Sequence, residues 1–392
     1  MVAAPTVCDD LGTSPYTPSE TFKLAIPHSC HPTSFVEVPR VWTGLWQLSS
    51  PAWGTAPAAR IRREMKKHVD KGFVAFAMAD HYGSAEQLFG HFRSTLPPAA
   101  STRVLGATKW CVFRAPPQGD LSHSYVEEAV RERIKRMRGT SDQGGSGRVD
   151  LLQLHWQDYS DKRYLQALHI LASLRSSDPY YPSAKADNAV RIGGVGLVNF
   201  DTARVDEICT SVGRGVIVTN QVQFSLIDIR PLYGMADVCK RHGVKLLTYG
   251  TLCGGFLSDK WLYAPEPNRY HEEPTLRDPL TPSQKKYLDI ILSAWGTWAL
   301  FQQLLVVLRR IGDYHGGVSI ANVATRWVLD HDFVGAVIIG ARLGVSDNTD
   351  DNRAVFGWRL SKDDHAMIAN VLQKSGGGEL IHTIGDCGAE YR

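Results

Sequence analysis

Eight short apolar runs, separated by stretches with helical spacing, constrain this chain more than any other feature. The runs are predicted strands at 41–48, 73–78, 104–109, 149–155, 194–198, 216–220, 244–249 and 334–340. After the first run, Ile61, Met65 and Val69 recur at the spacing of one helix face. Strands alternating with helices in this way predict one closed (β/α)8 TIM barrel. An open doubly wound sheet is the alternative, but its usual GxGxxG turn does not follow the first run.

Composition and charge narrow the class of protein. The net charge of +3 leaves no electrostatic footprint for nucleic acid, so we expect no such partner. The seven cysteines are scattered without a CxxC pair, which argues against a disulfide framework or a metal site. A reducing, cytoplasmic location is therefore expected. No apolar run reaches the length of a membrane span, and the first ten residues lack the features of a signal peptide.

The chain divides into three parts by composition. Residues 1–35 are rich in Pro, Ser and Thr and are predicted to form a loose arm. The barrel is expected at 36–376, followed by a C-terminal tail at 377–392. A long insertion at 262–317 separates the seventh strand from its helix, and 283–311 within it is predicted to be one long helix. Loops at the C-terminal face of a barrel form its active site, so the insertion could cover that site.

Three side chains with useful chemistry stand at the ends of successive predicted strands. Tyr82 follows the second strand, Lys109 ends the third and His155 ends the fourth. The C-terminal ends of barrel strands meet at one face, so we expect these side chains to converge there. Taken singly, each residue type is common at such positions for reasons of packing or solvation.

Seven sequence blocks around these residues resemble those of the aldo-keto reductase superfamily, in that family's order. They are FAMADHYG, ATKW, DLLQLHW, GLVNF, NQVQFSL, TYGTLCGGFLSDK and IIGARLG, and they extend from about residue 38 to about residue 372. The resemblance implies a βα barrel that binds NADP(H) in an extended pose without a Rossmann motif. The strand count agrees with that fold.

The resemblance also implies the catalytic roles. Tyr82 would be the general acid, Lys109 would lower its pKa, and His155 would orient the substrate carbonyl. A lysine cation and a histidine can stabilise the phenolate and oxyanion that develop during the reaction. Trp46, Trp110 and Trp156 lie near strand ends and are expected to line an apolar substrate pocket.

The chain departs from the family pattern at Ala77, where an aspartate would pair with the lysine. A buried Lys109 without its anion should have a lowered pKa. Loss of one positioned charge could lower the rate by roughly 10²–10³, by analogy with the loss of an oxyanion donor. Asp80 is three residues away, but the family often has an acid there as well, so it is not expected to be a relocated copy.

The same resemblance implies a set of cofactor contacts. Tyr249 matches the ring that stacks on nicotinamide, and Asn199 and Gln221 match its carboxamide partners. The pyrophosphate loop would contain Thr251, Leu252, Gly254, Gly255, Leu257, Ser258 and Lys260. Glycines in such a loop let backbone N–H groups approach phosphate.

The adenosine end of the cofactor would be held by the block that begins with Gly340. Arg342 fits a clamp for the 2′-phosphate, because guanidinium binds phosphate in a bidentate way. Asp351 and Asn352 match the adenine contacts. The interval from Arg342 to Asn352 is two residues longer than in the common family pattern, so the roles of Ser346 and Asn348 stay open.

Three functions remain possible at this point. The first is NADPH-dependent reduction of an aldehyde or ketone, or the reverse oxidation, at a weakened or redirected site. The second is a non-redox cyclase, isomerase or lyase that reuses the pocket. The third is a regulatory protein that binds NADP(H), as the family's potassium-channel β subunits are thought to do. The substrate, the direction of reaction and the oligomeric state are not predicted.

Overall fold

The computed structural model describes residues 20–26, 35–139, 149–175, 190–268 and 280–392. Within these residues, eight parallel strands close into a barrel, which confirms the predicted (β/α)8 fold. A two-stranded hairpin, β1 (Thr21–Leu24) and β2 (Val36–Pro39), precedes the barrel. The barrel strands are β3 (Val41–Gly44), β4 (Ala75–Ala77), β5 (Leu105–Val112), β6 (Leu151–Trp156), β7 (Gly194–Val198), β8 (Ile217–Gln223), β9 (Lys245–Tyr249) and β10 (Val334–Gly340). They follow one another around the barrel, and β10 pairs with β3 to close it.

Helices surround the barrel, and most of them bury one face, whereas the short α3 buries no residue. They are α1 (Ala58–Asp70), α2 (Ala85–Ser94), α3 (Pro98–Arg103), α4 (His123–Arg136), α5 (Tyr164–Ser173), α6 (Thr202–Val212), α7 (Met235–His242), α8 (Pro282–Ile290), α9 (Trp298–Tyr314), α10 (Ile320–Leu329), α11 (Thr349–Arg353), α12 (Lys362–Leu372) and α13 (Leu380–Thr383). In α1, Ile61 and Met65 are buried as their spacing predicts, because residues three and four apart share a helix face.

The described part of the predicted loose arm closes the bottom of the barrel. Strand β1 pairs antiparallel with β2, and Leu24 and Ile26 are buried in the barrel interior. Ile26 packs on Gly194 at the start of β7. The prediction of a loose arm is therefore wrong for residues 20–26, while 1–19 and 27–34 lie outside the described residues. Phe22, Leu24 and Ile26 alternate with polar or small residues, and this period of two is the strand signal that was overlooked.

The insertion after β9 is present, but its predicted long helix is two helices. Helix α8 continues into one π-helical turn, Ile291–Trp295, and α9 starts after Thr297 at an angle of 106° to it. Thr297 accepts a hydrogen bond from the backbone N–H of Leu300 and so caps α9, which explains the break. Among the described residues, no single helix is long and apolar enough to cross a membrane.

The predicted C-terminal tail packs on the C-terminal face of the barrel. It contains α13 and a short 3-10 turn, Ala389–Tyr391, and it buries Leu380 and Cys387. Its last residues reach the ends of β6 and β7, as the hydrogen bond from Gln157 Nε2 to the Tyr391 carbonyl shows. The tail therefore covers part of the C-terminal face of the barrel.

Candidate active site

Lys109 and Tyr82 meet at the C-terminal end of the barrel. Lys109 lies on β5 and is 3% exposed, and Tyr82 lies in the turn that follows β4. The Lys109 Nζ donates hydrogen bonds to the Met78 carbonyl at 2.8 Å and to the Tyr82 hydroxyl at 3.4 Å. It also lies 4.7 Å from the centroid of the Tyr82 ring. The strand register explains why Lys109 and Tyr82 lie together, because the neighbouring parallel strands β4 and β5 end at the same edge of the barrel.

His155 lies on β6, next to β5, and is 3% exposed. Burial lowers the pKa of His155 to about 4, although a hydrogen bond to Gln157 opposes the shift, so the ring is neutral at pH 7. Its Nε2 donates to the Gln157 side-chain oxygen at 3.3 Å. A neutral imidazole with a proton on Nε2 can donate a hydrogen bond to a carbonyl oxygen.

Ala77 leaves the charge of Lys109 without a carboxylate contact. Ala77 is 2% exposed, lies opposite Ala107 on β5, and offers only a methyl group to the barrel interior. Burial lowers the pKa of Lys109 to about 8, against smaller opposing effects of Cys111, Asp80 and Glu86. Burial likewise raises the pKa of Tyr82. Both directions follow from transferring a charge out of water without a counter-ion.

Asp80 does not take over the missing role, because other groups hold its carboxylate. It forms an ion pair with Arg133 of α4 and accepts a hydrogen bond from the Cys111 backbone N–H at 3.0 Å. These partners and His81 hold the pKa of Asp80 well below its usual range, although burial opposes them. Asp80 therefore affects the pKa of Lys109 only through a weak, longer-range electrostatic interaction.

Two of the three predicted substrate tryptophans are core residues. Trp110 is 5% exposed and contacts Tyr125 of α4, with ring centroids 6.1 Å apart. Trp156 is 1% exposed, packs on Tyr164 of α5, and donates its indole N–H to the carbonyls of Asp158 and Asp161.

Strand geometry accounts for this correction. Successive side chains of a strand point to opposite faces, so an inward Lys109 requires an outward Trp110, and an inward His155 requires an outward Trp156. The third tryptophan, Trp46, is 39% exposed and packs against Trp53, with ring centroids 4.7 Å apart and the ring planes tilted by 57°. It stays a candidate substrate contact.

Phe113 is a pocket residue that the sequence prediction missed. It is 51% exposed, and its ring centroid lies 5.4 Å from that of His155 and 5.1 Å from that of His81. The signal was present, because residue 113 lies an even number of positions after Lys109, in line with the inward face of β5.

Tyr391 also reaches the site and was not predicted. Its hydroxyl accepts a hydrogen bond from the Lys286 Nζ at 3.0 Å and lies 3.1 Å from the Tyr249 hydroxyl. Its ring is perpendicular to that of His155, with centroids 6.3 Å apart. The neighbouring Arg392 donates to the Asn199 carbonyl at 2.6 Å. No local pattern identifies these residues, which approach the site only through the tertiary fold.

The residues matched to nicotinamide contacts lie together beside the catalytic group. The Tyr249 hydroxyl donates to the Asn199 side-chain oxygen at 2.9 Å. Gln221 lies on β8, and its side-chain oxygen accepts a hydrogen bond from Gln153 at 3.0 Å. Asn199 has a φ of 58°, which holds its backbone in the left-handed region just after β7.

The loop matched to the pyrophosphate follows β9 directly. Gly254 and Gly255 have φ of 66° and 94°, conformations that favour glycine. The N-terminus of α8 packs on this loop, since a Cβ at Gly254 would lie 3.0 Å from the Gln284 backbone nitrogen. The loop is thus held between the barrel and the insertion.

The other side chains of this loop differ in what they contact. The Thr251 hydroxyl donates a hydrogen bond to the Phe224 carbonyl, and Leu257 is fully buried. Both side chains therefore hold the loop against the protein core. Ser258 donates to the Gly255 carbonyl, and Lys260 lies over the Trp261 ring. Leu252 packs against the same core as Leu257.

A polar cleft lies beyond β10, where the sequence predicts the adenosine contacts. It is lined by Gly340, Arg342, Ser346, Asn348 and Asn352, and by residues of β3 and α1. No acidic side chain pairs with Arg342 among the residues that the structure describes, so its guanidinium can receive a phosphate. Ser346 and Asn348, whose roles the spacing left open, also line this cleft.

Asp351 is engaged in hydrogen bonds at the start of α10. Its two carboxylate oxygens accept hydrogen bonds from Ser319 and the Asn322 side chain, at the N-terminus of α10. The arrangement favours a structural role for Asp351 and leaves Asn352 as the adenine candidate. Ion pairs of Lys67 with Asp347 and of Lys71 with Asp350 fasten the same loop to α1.

One cluster near the site has donor atoms at metal-ligand spacing. The ligand atoms of Asp80, His81 and Cys111 lie within 4.8 Å of one another. However, Asp80 is paired with Arg133, and burial raises the pKa of the Cys111 thiol well above its usual value. A protonated thiol is a poor ligand, so this arrangement favours hydrogen bonding over metal binding.

Fold and site together define a βα-barrel oxidoreductase with a lysine–tyrosine–histidine group at the C-terminal face and a cofactor groove beside it. Residues 40–373 match the model of the Aldo/keto reductase family, and the chain belongs to that family. The assignment confirms the resemblance of the sequence blocks and places the protein among the NADP(H)-dependent oxidoreductases.

Similar proteins of known sequence include flagellar radial spoke protein 5 of Chlamydomonas reinhardtii, which is 29% identical over 299 residues. That match covers 67% of this chain and 55% of the spoke protein, so the chain spans about half the length of that relative. Aldo-keto reductase YhdN of Bacillus subtilis is 21% identical, with 87% of this chain and 92% of the relative covered. L-glyceraldehyde 3-phosphate reductase of Escherichia coli K12 is 23% identical, with 79% and 82% covered.

Solved structures share the fold. The glycerol dehydrogenase AKR11B4 of Gluconobacter oxydans has a TM-score of 0.65 and 20% identity, and the match covers 92% of this chain and 97% of that one. An aldo/keto reductase of Klebsiella pneumoniae in complex with NADP and acetate has a TM-score of 0.57 and 16% identity, with 86% and 92% covered.

Proposed function

We propose that this protein reduces an aldehyde or ketone with NADPH, or catalyses the reverse oxidation, at a site altered by Ala77. The observation that carries the proposal is the 3.4 Å approach of the Lys109 Nζ to the Tyr82 hydroxyl, at the same end of the barrel as His155. Arg342, which has no acidic partner in the part of the chain that the structure describes, and the glycine loop after β9 fit a phosphorylated dinucleotide.

Each side chain has a defined role in this proposal. When bound, the reduced nicotinamide supplies the hydride. Tyr82 donates its hydroxyl proton to the carbonyl oxygen, and the Lys109 cation stabilises the phenolate that remains. His155 is neutral and donates a hydrogen bond to the same oxygen, in exchange for its bond to Gln157.

The substrate class is proposed from the pocket and the relatives. Phe113 and Trp46 offer exposed rings beside His155 and the end of β3, which suits a small organic carbonyl compound. The names of two relatives refer to glycerol and to glyceraldehyde 3-phosphate, so three-carbon aldehydes are reasonable first substrates. The described cysteines are unpaired, which is compatible with the predicted cytoplasmic location.

Absorbance of NADPH, followed with a panel of small aldehydes and ketones, tests the proposal. We expect slow oxidation of NADPH with at least one carbonyl, lowered by roughly 10²-fold or more in Tyr82→Phe, which keeps the ring but removes the acid. NADPH binding without consumption by any carbonyl would favour the regulatory alternative. Conversion of a substrate without cofactor turnover would favour the non-redox one.

A further inference from the structure

Residues 388–392, called the strap here, lie across the site between the catalytic and the cofactor residues. The Tyr391 ring stands between His155, at 6.3 Å, and Tyr249, whose hydroxyl lies 3.1 Å from its own. Arg392 contacts the Asn199 carbonyl and stacks on the Tyr159 ring at 3.9 Å. The proposed reaction brings the nicotinamide and the carbonyl together in this same space.

The first part of the strap is firmly anchored. Glu390 forms an ion pair with the buried Arg230 at 2.9 Å, and Asp228 holds the other side of the guanidinium at 2.7 Å. Gly388 packs directly on Asn199, since a Cβ there would lie 2.1 Å from the Asn199 carbonyl oxygen. Residues 388–390 are therefore fixed to the barrel by buried charge and close packing.

The second part of the strap is held by exchangeable contacts. Tyr391 is held by Lys286 of α8, by Gln157 and by Tyr249, and all three partners are only partly buried. Water or a ligand can replace such hydrogen bonds with only a small net change in free energy. Rotation after Glu390 would move Tyr391 and Arg392 together without breaking the Arg230 ion pair.

We propose that Tyr391 and Arg392 occupy the nicotinamide subsite and that the nicotinamide ring must displace them to bind. The proposal rests on the cofactor assignment above. The apparent affinity for NADPH is then lowered by the fraction of molecules whose strap is closed. The cleft around Arg342 is separate from the strap, so a ligand that lacks nicotinamide is unaffected.

Equilibrium binding to the full chain, measured by tryptophan fluorescence, tests this. The probes are NADPH and adenosine 2′,5′-bisphosphate, which carries the adenosine end alone. The variants are Tyr391→Ala and, as a matched control, Tyr314→Ala, which removes an exposed tyrosine of α9. We expect Tyr391→Ala to bind NADPH roughly ten-fold more tightly, the effect of an open state populated about one time in ten. The bisphosphate affinity should not change in either variant.

Hydrogen–deuterium exchange supplies a second measurement. Backbone amides of 391–392 should exchange faster when NADPH binds, while those of 388–390 stay protected. NADPH affinity that is unchanged or weaker in Tyr391→Ala would overturn the strap proposal alone, because Tyr391 would then be a wall of the pocket. Failure of every variant to bind NADPH would overturn the cofactor assignment as well.

Discussion

Restoring a carboxylate at position 77 should extend carbonyl reduction to higher pH. Ala77 pairs with Ala107, and Lys109 lies two residues further along the same face of β5, so an aspartate would be its diagonal neighbour. Diagonal neighbours on one face of a sheet lie about 7–8 Å apart, with their Cβ atoms somewhat closer, which is within reach of a lysine and a carboxylate. The Ala77→Asp carboxylate should raise the Lys109 pKa by about 1–3 units.

The magnitude follows from the pKa of about 8 that burial gives Lys109. The fall from an ordinary value near 10.5 corresponds to about 3 kcal/mol of lost preference for the cation. Lys109 is then about 90% protonated at pH 7 and about 10% protonated at pH 9. If the cation supports catalysis, activity falls as pH rises through about 8, because the proton leaves a group whose folded pKa is depressed.

We therefore expect kcat/KM of Ala77→Asp to exceed that of the native protein by roughly ten-fold at pH 9 and by much less at pH 7. This gain comes from the change in the protonated fraction of Lys109 alone. The assay is kcat/KM for one carbonyl substrate from pH 6 to 10. Ala77→Asn is the matched control, since it has nearly the same size without the charge. Superimposable pH profiles for the native protein and Ala77→Asp would refute the reasoning, as would an equal gain in Ala77→Asn.

Two further outcomes test the side-chain assignments. Trp156→Ala should destabilise the fold by about 3–5 kcal/mol in denaturant unfolding, whereas Phe113→Ala should leave stability nearly unchanged and raise KM. The reverse pattern would mean that the inward and outward faces of β5 and β6 are misassigned. Arg342→Ala should weaken NADPH binding at least ten-fold and NADH binding little, since one charge-assisted contact to phosphate is lost. Equal weakening of both cofactors would remove Arg342 from the 2′-phosphate site.

The barrel and the convergence of Tyr82, Lys109 and His155 could be predicted because both depend on local pattern. Strand length, helix spacing and strand-end position together place Tyr82, Lys109 and His155 at one face. The lowered pKa of Lys109 also follows from a single substitution, Ala77, once the residue is known to be buried. The size of the fall depends on how deeply Lys109 is buried and on the smaller opposing effects of nearby groups, and neither can be read from the sequence.

The errors arose where the sequence signal was weak or not local. Trp110 and Trp156 were assigned to the pocket because nearness to a strand end was considered without the alternation of faces. The long helix of the insertion was extended across Thr297, although a threonine can start a helix as readily as it can continue one. Tyr391 is distant from His155 in the sequence, and only the packing of the C-terminal tail, 377–392, on the barrel brings the two rings together.

The hairpin at the bottom of the barrel has a practical consequence for experiments on surfaces. Its strand β1 brings the chain in at the N-terminal ends of the barrel strands, where Phe22 packs beside Gly335. Tyr391 and the catalytic side chains lie at the other end. A tether attached before residue 20 would therefore hold the molecule with its site facing the solution, whereas a tether next to Arg392 would crowd the entrance.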